Sequence, residues 1–417
     1  MPAATLFDRI AFLAGAASAL WLAVIIAIQG FVTPWALVWF IPVWAIIAYL
    51  LLPRLHRLLS DLYVPDYFFG RTRTADGLLG DPVNLGVDGS ARQLDYVMTN
   101  AGWHHADEIT AASTWRIITS TLTRRSYPTA PVSPLMLFGR RHDVAYQQEV
   151  EGNPKQRHHV RFWHCPPGWL LPGGAKADWL GAGTYDTDVG ISFFTLQITH
   201  RIDQNTDVER DFVVSSAKAA NPAVSLRTLR DFTTGYHSRN GGGDRFLTDG
   251  DLPIMDVSAV KENVMSFPDA SDPASTAAIA RAPLSVIAAA SIVITTVVLQ
   301  LIDLFSDAEV WRMLAVGDAD EAAVFLAVLS VFALFLLAQV MMAVSVLRRG
   351  RRSRAVLILL LVGGIFFMAL GYLNGSAVLG LDWTLLAASV QCVALLALSS
   401  ESAGAWARRK PAGGARS

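Results

Sequence analysis

Cysteine is nearly absent. Cys165 and Cys392 are the only two in 417 residues, too few for a disulfide framework. One lies in a polar stretch and the other in an apolar one, so no bond between them is expected, and the scarcity fits a reducing compartment. Charge is also sparse: 17% of residues are Asp, Glu, Lys or Arg, against about 25% in a soluble globular chain. The formal net charge is −1. With no cationic excess to neutralise phosphates, a nucleic-acid binder driven by backbone contacts is excluded. No HExxH or CxxC spacing occurs, so no metal centre is expected, and nothing in the sequence names a cofactor. Lysine is scarce beside arginine and alanine is abundant, a bias that accompanies GC-rich bacterial genomes.

The missing charge is concentrated in two apolar regions, Ile10–Leu52 and Pro283–Ser399. Six stretches approach the roughly 20 apolar residues needed to cross a bilayer: Ile10–Gln29, Phe31–Leu52, Pro283–Ile302, Ala322–Leu347, Ala355–Leu373 and Leu381–Ser399. The first is not a cleaved signal peptide, because its apolar run is too long and a second span follows at once. Arg54 and Arg57 follow span two, Arg348 to Arg354 fill the loop after span four, and Arg408, Arg409 and Lys410 follow span six. The Asp303–Glu321 loop is acidic by contrast. Counting six spans places all three basic clusters on one side, which by the positive-inside rule is the cytoplasm. Both termini and the middle of the chain are therefore expected there, in a bacterial inner membrane. No charged residue falls in the apolar centre of a span, which disfavours a transporter. The expected plan is a helical hairpin over 1–53, a juxtamembrane connector over 54–79, a soluble domain over 80–237, a linker over 238–282, a four-helix region over 283–400 and a basic tail over 401–417.

The soluble domain reads as helices, then a meander of strands, then a helix. Ser90-Ala-Arg-Gln93 is a capping box ahead of Leu94, Val97 and Met98 at helical spacing. A second helix is expected across Thr110–Thr123. Pro128, Pro131 and Pro134 forbid regular structure after Tyr127. Strands are expected around Val144–Val150, Val160–Phe162, Trp179–Thr187 and Ile191–Ile202, with a turn at Thr187–Gly190. Thr206–Glu209 is a second capping box that opens a helix to about Ala220, and Leu226–Tyr236 is expected as another helix. Gly241 to Gly243 and Pro268–Ser275 read as flexible linker. The fold class is α+β, an antiparallel sheet with helices packed on it, beside an all-α transmembrane part of about six helices.

The polar residues of this domain are its candidate site. Successive strand side chains face opposite ways, so His158 shares a face with Val160 and Phe162, and His159 shares the other with Arg161 and Trp163. His200 lies between Ile198 and Ile202 and is expected to share the core face with His158. Together with Asp203 these two histidines form a candidate acid–base group; single hydrogen-bonded structural histidines are the competing reading. Arg157, His159, Arg161, Arg210, Tyr127 and Arg140 are candidate ligand-binding residues, since arginine forks suit phosphate or carboxylate. The ligand class expected is a phosphorylated or anionic headgroup, with the lipid membrane and other membrane proteins as partners. Glu209 is accounted for as a helix cap, and Asp186 and Asp188 as turn residues.

Several of these pieces occur in an order that resembles the C-terminal domain family named after LssY, a protein associated with bacterial secretion. They are Gly80-Asp-Pro-Val-Asn-Leu-Gly86, Tyr127-Pro-Thr-Ala-Pro-Val-Ser-Pro134, Leu137-Phe-Gly-Arg140, Arg157-His-His-Val-Arg-Phe-Trp163, Ile198-Thr-His-Arg-Ile-Asp203 and Glu209-Arg-Asp-Phe212. The resemblance implies a membrane-associated bacterial domain of uncharacterised activity. Some family members resemble fusions with a phosphatidic-acid-phosphatase-type membrane domain. This chain has no Pro-Ser-Gly-His element, so that mechanism is not expected. The expected role is a binding or accessory module in an envelope, lipid or export process; a membrane-anchored hydrolase of a phosphorylated or lipid substrate, using His158, His200 and Asp203, is the alternative.

Overall fold

The computed structural model describes residues 6–31, 36–64, 68–108, 127–150, 153–192, 195–233, 239–261, 282–306, 319–375 and 383–408, with a few further positions between 112 and 120 and between 308 and 312. The chain divides into two units, Met1–Leu51 with Asp269–Ser417, and Leu52–Pro268.

The first unit is helical, with helices Leu6–Phe31, Ala36–Ile46, Leu284–Ser306, Ala319–Leu347, Arg351–Leu373, Trp383–Leu398 and Glu401–Arg408. Pro42 removes a backbone donor inside the second of these, and the helix passes into a π-helical turn at Ile47–Leu51, a common accommodation of a broken ladder. Five helices are long and apolar enough to cross a membrane, counting Phe40–Tyr63 as one; Leu385–Leu398 and Ser402–Arg408 make a sixth only if taken together across a 59° bend. The second stretch is thus displaced toward the C-terminus from the expected Phe31–Leu52. Helix contacts are rich in small residues such as Ala19, Ala289, Ala343 and Ala394, which let backbones approach closely. Leu326, Val331, Leu334, Phe366 and Phe367 point outward. Asp8, near the start of the first helix, accepts from Arg354 Nη1 at 2.6 Å and from Arg408 Nη1 at 2.7 Å, and Arg354 Nε donates to Leu398 O at 2.9 Å. These charges sit at helix ends and satisfy one another.

The second unit is a mixed α/β domain. Its helices are α1 (Leu52–Tyr63), α2 (Ala91–Asn100) and α3 (Thr206–Ala220). A small sheet contains β1 (Arg71–Thr74), β2 (Leu79–Pro82), β5 (Leu135–Leu137) and β6 (Arg140–Arg141), in the order β2-β1-β5-β6. A larger sheet contains β3 (Leu85–Asp88), β4 (His104–His105), β7 (Val144–Val150), β8 (Asn153–His164), β9 (Trp179–Ile191), β10 (Ile198–Ile202), β11 (Ser225–Leu229) and β12 (Leu252–Asp256). Its order is β11-β12-β3-β9-β8-β7-β4, with β10 added beside β9. The β12–β3 pair is parallel and the others antiparallel, so the expected purely antiparallel sheet is corrected to two sheets, one of them mixed.

The long strand β8 explains the layering. Val160 and Phe162 enter a core with Leu94, Val97 and Met98 of α2 and Val213 and Ala217 of α3. On the opposite face Trp163 joins Leu135, Leu137, Leu180 and Ile254. Phe162 lies opposite Gly181 of β9; a Cβ at 181 would stand 2.7 Å from the Phe162 ring, so glycine there makes room for the ring.

The capping box at Ser90 is present in both directions. Three expectations change. Strand β9 runs unbroken through Thr187 to Ile191, because its edge is paired with β10, and the turn lies beyond Ile191. The helix expected from Leu226 begins instead as strand β11, paired along its length with β12. The glycines at 241–243, expected as linker, belong to an ordered turn in which Asn240 Oδ1 accepts from the backbone of Gly242 and Asp244 at 3.0 Å each. The helix expected at Thr110–Thr123 and the linker at Pro268–Ser275 fall largely or wholly outside the described residues.

Candidate functional site

A cleft of about 110 Å³ lies between the two sheets. The odd-numbered face of β8 supplies Arg157, His159 and Arg161, β9 supplies Asp186, β10 supplies His200 and Ile202, the small sheet supplies Asp81 and Leu135, and the Asn240–Gly242 turn closes one side. Cross-strand register brings these groups together: Arg157 faces Asp186, and His159 faces Thr184. Arg157 Nε donates to Asp186 Oδ2 at 2.9 Å, with the two side chains 9% and 3% exposed. Arg157 Nη1 donates to Gln147 Oε1 at 3.3 Å. Arg161 Nε donates to Ser133 O at 3.0 Å, and its Nη1 to Asp81 Oδ2 at 3.3 Å. Among the described residues Arg161 Nη2 has no hydrogen-bond acceptor.

Arg157 Nη2 lies 3.2 Å from His200 Nε2. A guanidinium has no acceptor, so Arg157 donates and His200 Nε2 accepts. Neutral His200 then carries its proton on Nδ1, which lies 3.4 Å from Asp186 Oδ2; His159 Nδ1 approaches the same oxygen to 3.5 Å. Both Nδ1 atoms are buried, and neither makes a hydrogen bond within the described residues. His159 Nε2 is 2.8 Å from Thr184 Oγ1. That hydroxyl–imidazole–carboxylate order resembles a nucleophile with its base, but Thr184 is fully buried and has no face on the cleft.

The structure divides the acid–base group that the sequence suggested. His158 lies on the helix side of the sheet. Its Nδ1 is 2.6 Å from Glu209 Oε2 of α3, and its ring stacks on Phe212 at 4.1 Å and lies 4.7 Å from Tyr185. His200 is on the cleft side, and a β-bulge is the reason. Along β10 the register pairs His200 with Val189 and Arg201 with Asp188, then slips so that Ile202 meets Asp186. Without that slip His200 would lie on the face of Tyr185 and His158, since one residue of register exchanges the faces of a strand. Asp203 is exposed and accepts from Asn205 N at 2.8 Å, in the turn before α3. Glu209 is not a cap: Asn205 caps α3, and Glu209 is a buried partner of His158.

Of the binding candidates, Arg157, His159 and Arg161 meet in the cleft and the others do not. Arg210 is held by Asp249 at 2.6 Å, Asp211 at 2.8 Å and Asp207 at 3.2 Å, tying α3 to the loop before β12. Arg140 pairs with Asp143 and donates to His164 O. Tyr127 donates to Asp107 Oδ2 at 2.7 Å and anchors the start of the proline-rich loop, whose later residues Ser133 and Leu135 reach the cleft. Asp81 and Asn240 are not singled out by the sequence, and Asp186 reads there as a turn residue. Asp81 lies within the Gly80–Gly86 motif, which was a usable signal; Asp186 was hidden by reading the middle of β9 as a turn.

Burial pushes the His159 imidazole down to about 3, against the pull of Asp186, and burial also lowers His200. Burial alone would raise Asp186, but His159 and His200, when protonated, and the Arg157 guanidinium bring it below its ordinary range. Burial raises Asp81, opposed by Arg161. At neutral pH the cleft therefore holds two neutral imidazoles between arginine–aspartate pairs. His159 takes up its proton near pH 6.5 when unfolded but not until about 3 when folded. Its contribution is complete above about pH 6.5 and is lost as pH falls, by about 1.4 kcal/mol per unit at most. Asp81 and Glu209, raised by burial, contribute the opposite slope. The informative comparison is the denaturation midpoint of the detergent-solubilised chain against His159→Gln between pH 7 and pH 5. The wild type is expected to lose more stability than the variant, and parallel curves would refute the neutral buried imidazole.

The fold and site thus define a mixed α/β domain with a polar inter-sheet cleft, in a chain that also carries apolar helices. Residues 62–252 match the LssY C-terminus family, which bears out the resemblance carried by the sequence motifs and takes in every cleft residue. Neither a curated protein nor a solved structure matches the chain.

Proposed function

We propose that the chain is a multi-pass protein of a bacterial inner membrane whose LssY C-terminal domain faces the cytoplasm and binds a small anionic group, phosphate or carboxylate, in the inter-sheet cleft, as an accessory module of an envelope, lipid or export process. The observation that carries the binding reading is the convergence of Arg157, Arg161, His159 and His200 on one buried cleft, where guanidinium forks select oxyanions. Two buried imidazole nitrogens without hydrogen bonds add a demand for a polar partner. The orientation rests on the basic clusters at the helix ends, and the meeting of Asp8, Arg354 and Arg408 supports placing those three ends on one side. The hydrolase reading is not carried forward, because its three residues do not assemble.

Calorimetric titration of the detergent-solubilised full chain with inorganic phosphate tests the binding. Arg157→Lys keeps the charge but loses the fork, and is expected to weaken phosphate by about tenfold or more, the worth of one charge-assisted hydrogen bond. Unchanged affinity would remove the cleft from consideration. A reporter fused after Ser417 and found on the periplasmic side of the membrane would overturn the orientation.

A further inference from the structure

We infer that the cleft is one end of a longer site, and that its ligand carries two separated anionic groups, one against Arg157 and Arg161 and the other against Arg201 and Arg239. This rests on the anion-binding reading of the cleft. A second cavity of about 410 Å³ adjoins it, and Thr199 and Gly242 line both. The sizes differ in meaning. At roughly 30 Å³ per water-sized group, the 110 Å³ cleft admits one compact oxyanion. The outer groove lies within the range of about 300–1,000 Å³ typical of small-molecule sites, so it accepts the body of a ligand whose head is in the cleft.

The groove has its own cationic wall. Among the described residues the Arg201 guanidinium has no hydrogen-bonded acceptor. It lies across Gly190, where a Cβ would stand 3.0 Å from Arg201 Nε, so the glycine allows it to rest on the strand. Arg239 Nη1 donates to Gly243 O at 2.6 Å, which fixes that side chain beside the turn. Ser192 Oγ donates to Gly242 O at 2.6 Å and holds the shared wall in place. Arg157 and Arg161 line the cleft with Asp81 and Asp186, and Arg201 and Arg239 line the outer groove with Asp244. The two inner aspartates are engaged by Arg157 and Arg161, whereas among the described residues Arg201 meets the charge of Asp244 without a hydrogen-bonded acceptor. A single phosphate leaves the outer arginines unused; a diphosphorylated ligand uses both ends.

The test compares inorganic phosphate with inorganic tripolyphosphate on the full chain in detergent, for wild type and for Arg201→Ala/Arg239→Ala, both exposed residues whose removal leaves the cleft intact. Tripolyphosphate is expected to bind wild type at least about tenfold more tightly than phosphate, from one added charge-assisted contact. The double variant is expected to lose that advantage while keeping its phosphate affinity. Equal affinities in wild type, or an advantage that survives in the variant, would overturn the two-ended site and leave the cleft reading standing. If neither anion binds wild type, both fall. Competition of bound tripolyphosphate by phosphatidylcholine nanodiscs containing cardiolipin, but not by phosphatidylcholine alone, identifies a lipid headgroup as the source of the two phosphates; no competition identifies a soluble one.

Discussion

Asp186→Ala is expected to destabilise the domain by about 3–5 kcal/mol, the usual cost of removing one partner from a buried ion pair. The cost comes from what is left behind. Arg157, 9% exposed, would keep Gln147 and His200 as its partners, neither of them anionic. His159 and His200 would also lose the carboxylate that faces both Nδ1 atoms. Asp186→Asn keeps the shape and one acceptor oxygen, so it should recover part of the loss but not the charge term. Denaturant unfolding of the solubilised full chain reads both variants. An alanine variant with the wild-type midpoint would mean that Arg157 gains a new partner at no cost, and the account of Asp186 as its charge partner would be wrong.

Phe162→Ala is expected to cost about 3–5 kcal/mol as well, by a different cause: a large buried ring lost from a core that cannot close over the space. Phe162 is fully buried on the α2/α3 side of β8, and the residue opposite is Gly181, which has no side chain to fill the gap. Because Phe162 points away from the cleft, the folded fraction of this variant should bind phosphate as wild type does. A weakened affinity at full folding would show that the two faces of β8 are coupled, contrary to their separation into an apolar and a polar layer. The two substitutions therefore separate stability carried by the apolar face from that carried by the polar face of one strand.

Much of that strand was legible in advance. Period-two alternation assigned His158 to the face of Val160 and Phe162 and His159 to that of Arg161, as the structure has it. The Ser90 cap was legible because its signal is local, four residues satisfying one another's backbone. The second capping pattern, at Thr206, misled for the complementary reason: Asn205 took the cap, and a tertiary partner, His158, claimed Glu209. Strand β11 was read as a helix because its pairing with β12 reaches about 27 residues along the chain, beyond any local window.

The sequence by itself determined the apolar helices, the mixed α/β character of the domain between them, the two faces of β8 and the family motifs, since each depends on composition or short-range periodicity. Only the tertiary structure decided which histidine joins the arginines. His200 comes to Arg157 because β10 slips by one residue beside Asp186, and His159 comes to Asp186 because β8 and β9 pair in one register. A register and a bulge are relations between strands, set by the packing of a whole sheet, and no single strand's pattern contains them.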